Sequence, residues 1–502
     1  MSDGETPAVP SLYEVLQLAK DYPTAGEEHN LLTLALAMPM GGLIIFDGPS
    51  SSGKTHSVNS ASSTFTNHEN LVYTVPTTAS ETALYYEFDK MNQRPVHNWG
   101  DLASMEKTWE PILKDHGDGR PSNRKVTDVT LGEVVDKTID PPATLILQIA
   151  TDNEDINLND YAEIKNRALI LTSDGSREQT EAVMALQAAV EARTFEHSVG
   201  EDRAREIREY MTGVFETAEI FRTRRESEKP MATFWNPAAE AIAEAEVIPP
   251  MFNEARRDNQ RLFKFMRAVA LYHHAERMLT FLDGGDRVMI VTPVDCWYAM
   301  AIFGEKMLRS ALNLRGHDIE VLSLLREKPS SYTVAEIQQM LIQGGHNVTD
   351  RDVRRSLENM FTKGYVIRHD DSPITWQASP MASYMDYKSK IDWEGVVEIA
   401  AETVRATLPA DQAEKYVERY CSPEAMIVTH PITGETVNIL EDTSLEDELA
   451  ESEDELKEVL STPLYGKSDE TDDAPLSEDQ HIEPEPEPEP ADGGSTQGTL
   501  SR

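Results

Sequence analysis

Residues 41–55 read Gly41-Gly-Leu-Ile-Ile-Phe-Asp-Gly48-Pro-Ser-Ser-Ser-Gly53-Lys54-Thr55. A short apolar run leads into a loop dominated by small residues, and the loop ends in Lys-Thr. The apolar run predicts a buried strand, with a helix beginning at the end of the loop. Gly48, Gly53, Lys54 and Thr55 satisfy the spacing G-x-x-x-x-G-K-[ST]. In such a loop successive backbone N–H groups can turn toward a phosphate. The Lys54 ammonium reaches the outer phosphate oxygens, the Thr55 hydroxyl ligates Mg²⁺, and the helix start adds its positive end. Gly48, Pro49, Ser50, Ser51, Ser52, Gly53, Lys54 and Thr55 are therefore the candidate contacts to a nucleotide, with ATP and Mg²⁺ the expected ligands.

Outward from the loop, strands alternate with helices. Ser11-Leu-Tyr-Glu-Val-Leu-Gln-Leu-Ala-Lys20 carries apolar residues at helical spacing, and a second helix is expected from about Glu27 to Met38. After the loop, Leu71-Val-Tyr-Thr-Val predicts a second strand, and residues 80–91 a helix with Ser80 as N-cap. Residues 94–99, 144–150 and 168–172 predict a third, fourth and fifth strand. The alternation predicts an α/β layer around a largely parallel sheet. From 176 to 315 the pattern is helical almost throughout, with a break at Pro249-Pro250 and a turn at Gly284-Gly285. Residues 391–420 are helical again.

The acid that would complete the site should end the third strand. Asp101, in Arg94-Pro-Val-His-Asn-Trp-Gly-Asp101, is the first choice and a second metal ligand beside Thr55. The strand is weakly apolar. Asp101 also reads as a helix N-cap, and Glu106 is a second candidate acid.

The order of phosphate loop, tyrosine-rich helix (Leu84-Tyr-Tyr), acid-bearing strand and Lys107-Thr-Trp-Glu resembles the AAA+ P-loop helicase-type ATPases of archaeal and phage mobile elements. These include primase-associated and minichromosome-maintenance-like helicases. The resemblance covers about residues 30–315. It implies a polar residue after the fourth strand that positions the attacking water, where Thr151 and Asn153 stand. It implies an arginine finger before the fifth strand, reaching into a neighbouring subunit, where Arg167 stands. It implies a second sensor arginine opening a lid helix, where Arg256 and Arg257 stand. It also implies a DNA-gripping hairpin between the third and fourth strands. Arg120, Arg124 and Lys125 form a basic island there, which otherwise reads as a solvated loop.

Residues 331–370 read as a winged helix. Thr333 opens one helix and Gly344-Gly345 ends it. A second helix follows, with Thr349 as N-cap, and Lys363-Gly-Tyr-Val-Ile-Arg368 turns into a strand. Arg351, Arg354 and Arg355 cluster on the second helix, with Lys363 and Arg368 flanking, as a DNA-contacting helix requires. Winged helices also serve as protein-docking modules. His273-His274 and Cys296 lack partners at metal-ligand spacing and read as core and surface residues. Trp99, Trp235, Trp297 and Trp376 read as packing.

The 502 residues carry 88 Asp and Glu against 46 Lys and Arg, a net charge of −42 and a pI near 4.6. Lysine is scarce, 18 against 28 arginines. An acidic, lysine-poor surface predicts a halophilic protein, of archaeal origin by the resemblance. Such a chain repels nucleic acid in bulk, so any DNA contact depends on local basic patches. Two cysteines exclude a disulfide framework or a four-cysteine zinc site. No apolar run reaches membrane-spanning length and Met1–Pro10 lacks a signal-peptide pattern, so a cytoplasmic protein is expected.

The expected architecture is thus N-terminal helices over 1–40, a P-loop AAA+ α/β core over 41–175 and a helical lid over 176–315. A winged helix over 316–380, a small helical or extended segment over 381–441 and a disordered acidic tail over 442–502 follow. The expected function is ATP-hydrolysing DNA helicase or translocase activity in replication. The partners are DNA, other copies of the chain in a homo-hexamer or other ring, and replication proteins, with no membrane. The rival readings are an ATP-dependent DNA-binding switch or loader resembling origin-recognition ATPases, and an ATP-regulated transcription factor.

Overall fold

The computed structural model describes residues 9–48, 51–76, 81–101, 109–117, 119–128, 133–150, 164, 168–173, 177–222, 230–248, 255–282, 284–304, 314, 317–328, 330–346, 348–370, 372–385 and 391–441. Ser80 and the 442–502 segment lie outside them.

The five expected strands form and share one sheet. They are β1 (Gly42–Gly48), β2 (Val72–Thr74), β3 (Val96–Asp101), β6 (Thr144–Ala150) and β7 (Leu169–Thr172), in the order β2-β3-β6-β1-β7 with every pairing parallel. β4 (Ser122–Asp128) and β5 (Glu133–Ile139) form a separate antiparallel hairpin between β3 and β6 in the chain. Side chains alternate along a strand, so a sheet covered on both faces needs near-continuous apolar strands. β6 is buried at every position. Ile44, Phe46 and Ile146 enter one core with the helices Leu12–Lys20, Glu28–Met40, Glu201–Ala218 and Ala255–Tyr272. Leu43, Ile45, Leu145, Leu147 and Ile149 enter the other, with Trp99, Trp109 and Tyr73.

The Glu28–Met40 helix is buried from Asn30 to Pro39, as a helix apolar all round must be. Its polar Asn30 donates to the Thr172 carbonyl at 2.9 Å, and Thr144 Oγ1 donates to its Met38 carbonyl at 2.9 Å. These bonds seat the N-terminal helices on the sheet.

Register sets the edge on which a site can form. β1 and β6 run level from Gly42 opposite Thr144 to Gly48 opposite Ala150, and Asp47 lies opposite Thr172 on β7. The carboxyl ends of these strands therefore share one edge. β3 reaches it through a bulge between Asn98 and Asp101, where Gly100 takes a φ of +65°.

Two stretches depart from expectation. The 80–91 helix is two short helices, Glu81–Tyr86 and Phe88–Asn92, interrupted at Glu87. The region expected as a helical lid contains a three-stranded sheet. It joins β8 (Thr233–Trp235), β9 (Leu279–Phe281) and β10 (Arg287–Ile290) in the order β8-β10-β9. The Gly284-Gly285 turn, with Gly285 at a φ of +79°, makes the β9–β10 hairpin. Strands of three or four residues are too short to impose a period against a helical background. The 391–420 stretch is helical as expected, in two helices, Trp393–Thr407 and Ala410–Tyr420, divided at Leu408-Pro409 because proline cannot continue the ladder.

The helices Asp318–Glu327, Val334–Gln343 and Asp350–Thr362 pack with the hairpin β11 (Val366–His369) and β12 (Thr375–Ala378). Thr349 caps its helix as expected, and Thr333 stands just before its helix as the cap rather than inside it; each closes a reciprocal capping box, with Asp352 and Glu336. A last hairpin, β13 (Ile427–Thr429) and β14 (Thr436–Asn438), follows. The larger core runs unbroken from Leu12 to Ile439, across the expected boundaries at 316 and 381.

Candidate nucleotide-binding site

β1 ends at Gly48, and the nine-residue helix Lys54–Ser62 begins where the loop returns. Gly53, the N-cap, takes a φ of +83° with open space where a Cβ would stand. A β-carbon at Gly48 would collide with the Ser173 hydroxyl, so this glycine permits a close approach. Ser173 Oγ donates to Ser52 Oγ at 2.6 Å, and the Ser173 N–H donates to the Asp47 carbonyl at 2.9 Å. The loop is thus tied to the residue just beyond β7.

Lys54 is buried, and its ammonium donates to the Gly48 carbonyl at 2.9 Å. Its charge is therefore held inside the loop, beside the helix start. Thr55 Oγ1 donates to Gln148 Oε1 at 2.7 Å. Gln148 Nε2 in turn donates to Asn98 Oδ1 at 3.2 Å, which also accepts the Gly100 N–H at 3.2 Å. Gln148 and Asn98 are 3% and 2% exposed, so neither amide can turn to water instead. Leaving such a group unpaired costs about 1–3 kcal/mol, which makes the chain of bonds self-enforcing. It runs from the phosphate loop across β6 to the bulge of β3.

Sequence reasoning missed Gln148 and Asn98. The available signal was a polar residue inside an apolar strand, Thr144-Leu-Ile-Leu-Gln148-Ile-Ala150, which must find a partner when buried. Asp101 closes β3 directly opposite Gln148 in register. Its side chain falls outside the described part, as do Pro49, Ser50, Glu106, Thr151, Asn153 and Arg167. A hydroxyl and a strand-end acid at the carboxyl edge, with a lysine and a helix start, are the donor set a magnesium nucleotide requires.

Arg256 and Arg257 are exposed on the first turn of the Ala255–Tyr272 helix. Arg257 lies close enough to Arg261 to disfavour its charge. Arg261 stands near Gly42, at the amino end of β1.

The basic island lies on and beside the β4–β5 hairpin. Arg120 pairs with Asp115 at 3.6 Å. Arg124 lies 5.9 Å from the Tyr85 ring centre, and Lys125 stands outward opposite Asp136. The hairpin is docked on the short helices, with Tyr86 Oη donating to the Thr127 carbonyl at 2.9 Å and Asn92 Nδ2 to that of Thr138 at 3.1 Å.

On the Asp350–Thr362 helix, Arg351, Arg354 and Arg355 are exposed. Arg354 pairs with Asp350 at 3.2 Å and Arg355 with Asp352 at 3.7 Å. Arg368 pairs with Asp370 at 2.8 Å, and Lys363 is half-buried at the helix end. Exposed pairs of this kind contribute less than about 1 kcal/mol, so the arginines can exchange partners.

His273 is buried and bonds Asp295 at 3.1 Å, and Arg277 holds the same carboxylate at 2.8 and 2.6 Å. Arg277 and His273 keep the Asp295 carboxyl well below its usual range against the cost of burial. His274 stacks on Tyr210 at 5.6 Å, and Cys296 is buried with its thiol pushed up by desolvation. Among the described residues no cluster of His, Cys, Asp and Glu could hold a metal ion, and no helix is long and apolar enough to cross a membrane.

No family model matches the chain, and no curated protein matches it by sequence. Solved structures do resemble it. A protein of Cytophaga hutchinsonii assigned as an ATPase is 13% identical, with a TM-score of 0.35, over 67% of this chain and 94% of that one. The active helicase Cch of SCCmec type IV is 12% identical, with a TM-score of 0.30, over 74% of this chain and 68% of that one. NtrX of Brucella abortus in complex with ADP is 13% identical, with a TM-score of 0.26, over 52% of this chain and 67% of that one.

Proposed function

We propose that the chain is a P-loop ATPase of the AAA+ helicase type, which hydrolyses ATP to ADP and phosphate and uses the cycle to act on DNA. The observation that carries the reading is the placing of Lys54 and Thr55. They open the helix after β1, an inner strand of a parallel sheet, at its carboxyl edge, with the lysine held in the loop and the hydroxyl fixed by Gln148. Thr55 and Asp101 would hold Mg²⁺, which when bound supplies positive charge to the phosphates. Lys54 and the loop N–H groups bind and orient the phosphates. Thr151 or Asn153 positions water. Arg167 reaches a neighbouring subunit in a ring, and Arg256 belongs to the second sensor.

The three-helix unit with the β11–β12 hairpin is proposed as a winged helix whose Arg351, Arg354, Arg355 and Lys363 contact phosphates of DNA. Arg120, Arg124 and Lys125 on and beside the β4–β5 hairpin are proposed as a second contact. Replication in a salt-loving archaeon is the proposed setting.

One observation favours the switch or loader as a second reading. The Thr55 hydroxyl meets a neutral amide, and β3 carries Asn98, Gly100 and a bulge before its acid. Such a site suits tight nucleotide binding with slow turnover. ATP turnover with and without DNA, and unwinding of a forked duplex, separate the two. DNA-stimulated turnover with unwinding supports the helicase. Slow turnover with ATP-dependent DNA binding and no unwinding supports the switch. DNA binding that ignores ATP contradicts both.

A further inference from the structure

The amino end of β1 carries an unusual concentration of positive charge. Gly41 and Gly42 open the strand at φ of +87° and +121°. The Ala255–Tyr272 helix crosses them, and Arg261, Lys264 and Phe265 line a pocket there with Met40, Gly42 and Leu169. The Lys264 ammonium stands where a β-carbon on Gly42 would go, so the glycine makes room for it. Arg222 and Arg267 stand close enough to act on it electrostatically.

The counter-charge is incomplete. Asp258 pairs with Arg261, and Glu219 with Arg222 at 2.5 Å. Lys264 and Arg267 have no hydrogen-bond or ion-pair partner among the described residues. Lys264 is open to solvent through the pocket, yet protein crowds it. Burial first, then Arg222 and Arg267, lower its pKa to about 8. In a chain of net charge −42, such crowding of like charges persists at a cost that a bound anion would offset.

We propose that this pocket binds an anionic ligand, a phosphate or carboxylate group on an apolar or aromatic body. The anion sits between Arg261 and Lys264, with Arg267 near enough to add to the positive field, and the body lies against Met40, Leu169 and Phe265. Six residue steps along the strand, about 20 Å, separate Gly42 from Gly48, so the site is distinct from the phosphate loop and does not rest on the ATPase reading.

Pyridoxal 5′-phosphate, an aromatic aldehyde bearing a phosphate, is the probe. The neutral Lys264 amine adds to the aldehyde and water leaves, giving an imine. Borohydride adds hydride to the imine carbon, a proton from water goes to nitrogen, and the stable secondary amine is located by mass spectrometry. The full chain is labelled at pH 8 and constant ionic strength in KCl. Labelling of Lys264 is followed beside that of Lys415, which lies outside the pocket. Inorganic phosphate or benzoate should slow labelling of Lys264, and which of the two protects assigns phosphate or carboxylate. Arg267→Gln should weaken that protection on the order of fivefold, as loss of one neighbouring positive charge predicts. No protection of Lys264 by either anion, or equal protection of Lys415, would overturn the proposal.

Discussion

The Thr55 hydroxyl is fixed by one bond, to Gln148, and Gln148 is fixed by Asn98. Gln148→Leu keeps much of the volume and removes both bonds. It should lower stability by about 1–3 kcal/mol, because the Asn98 amide and the Thr55 hydroxyl each lose a partner. It should also weaken magnesium-dependent ATP binding more than magnesium-free binding, since Thr55 is the group that loses its orientation. Thermal unfolding and nucleotide titration with and without Mg²⁺ read the two effects. Equal weakening in both titrations would remove Gln148 from the account of the metal. Histidines beneath the sheet set a pH dependence. Burial holds His97 down to about 4 and His116 to about 3, the second lowered further by the first. An unfolded histidine titrates near 6.5, so between about 6.5 and 4 the unfolded chain binds more protons. The stability these neutral rings contribute is complete above 6.5 and is lost as pH falls toward 4. It is on the order of 3 kcal/mol for His97. His97→Phe should flatten the fall of unfolding free energy over that window, and an unchanged slope would show that other groups carry it.

Among the elements, the Asp350–Thr362 helix presents its arginines beside acids of its own first turn. On the proposed reading, DNA phosphates would compete with Asp350 and Asp352. Arg354→Ala combined with Arg355→Ala should weaken duplex binding and reduce the salt slope by about two units. Fluorescence anisotropy across KCl concentrations measures this, and unchanged affinity would turn the unit into a protein-docking module. The elements differ in how openly the sequence announced them. β1 and β6 are apolar runs bounded by turn residues, and their strand character follows from burial on both faces. Thr349 announced its helix because a threonine three residues before Asp352 is a cap. The β4 strand, Ser122-Asn-Arg-Lys-Val-Thr-Asp128, has one aliphatic residue and no readable period. Its pairing with β5 comes from docking on the Tyr86 and Asn92 side chains. β8, β9 and β10 are too short to outweigh the helical pattern around them. The phosphate loop was legible because its chemistry fixes a spacing. Gln148 and Asn98 were not, because a partner across the sheet is invisible to spacing along the chain.

For the molecule as a whole, −42 charges oppose the close approach of DNA and of other copies of the chain, and salt screens both repulsions. Assembly and ATP turnover should therefore rise together with KCl, up to the concentration at which DNA binding fails. If Arg167 completes a neighbour's site, mixing Lys54→Ala with Arg167→Ala chains should recover turnover, since some interfaces then hold one intact half from each. Confirmed mixed oligomers with no recovery would remove Arg167 from that role. On the proposed reading, residues 48–55 bind and hydrolyse a nucleotide through Lys54. The most direct measurement is the rate of phosphate release from ATP by the full chain with Mg²⁺ in high KCl, compared with Lys54→Ala of matched thermal stability. The parent should turn over ATP and the variant should lose at least about a hundredfold, a change of roughly 2.7 kcal/mol in barrier. Equal rates in parent and variant, or no turnover and no ATP binding by the parent, would contradict that reading.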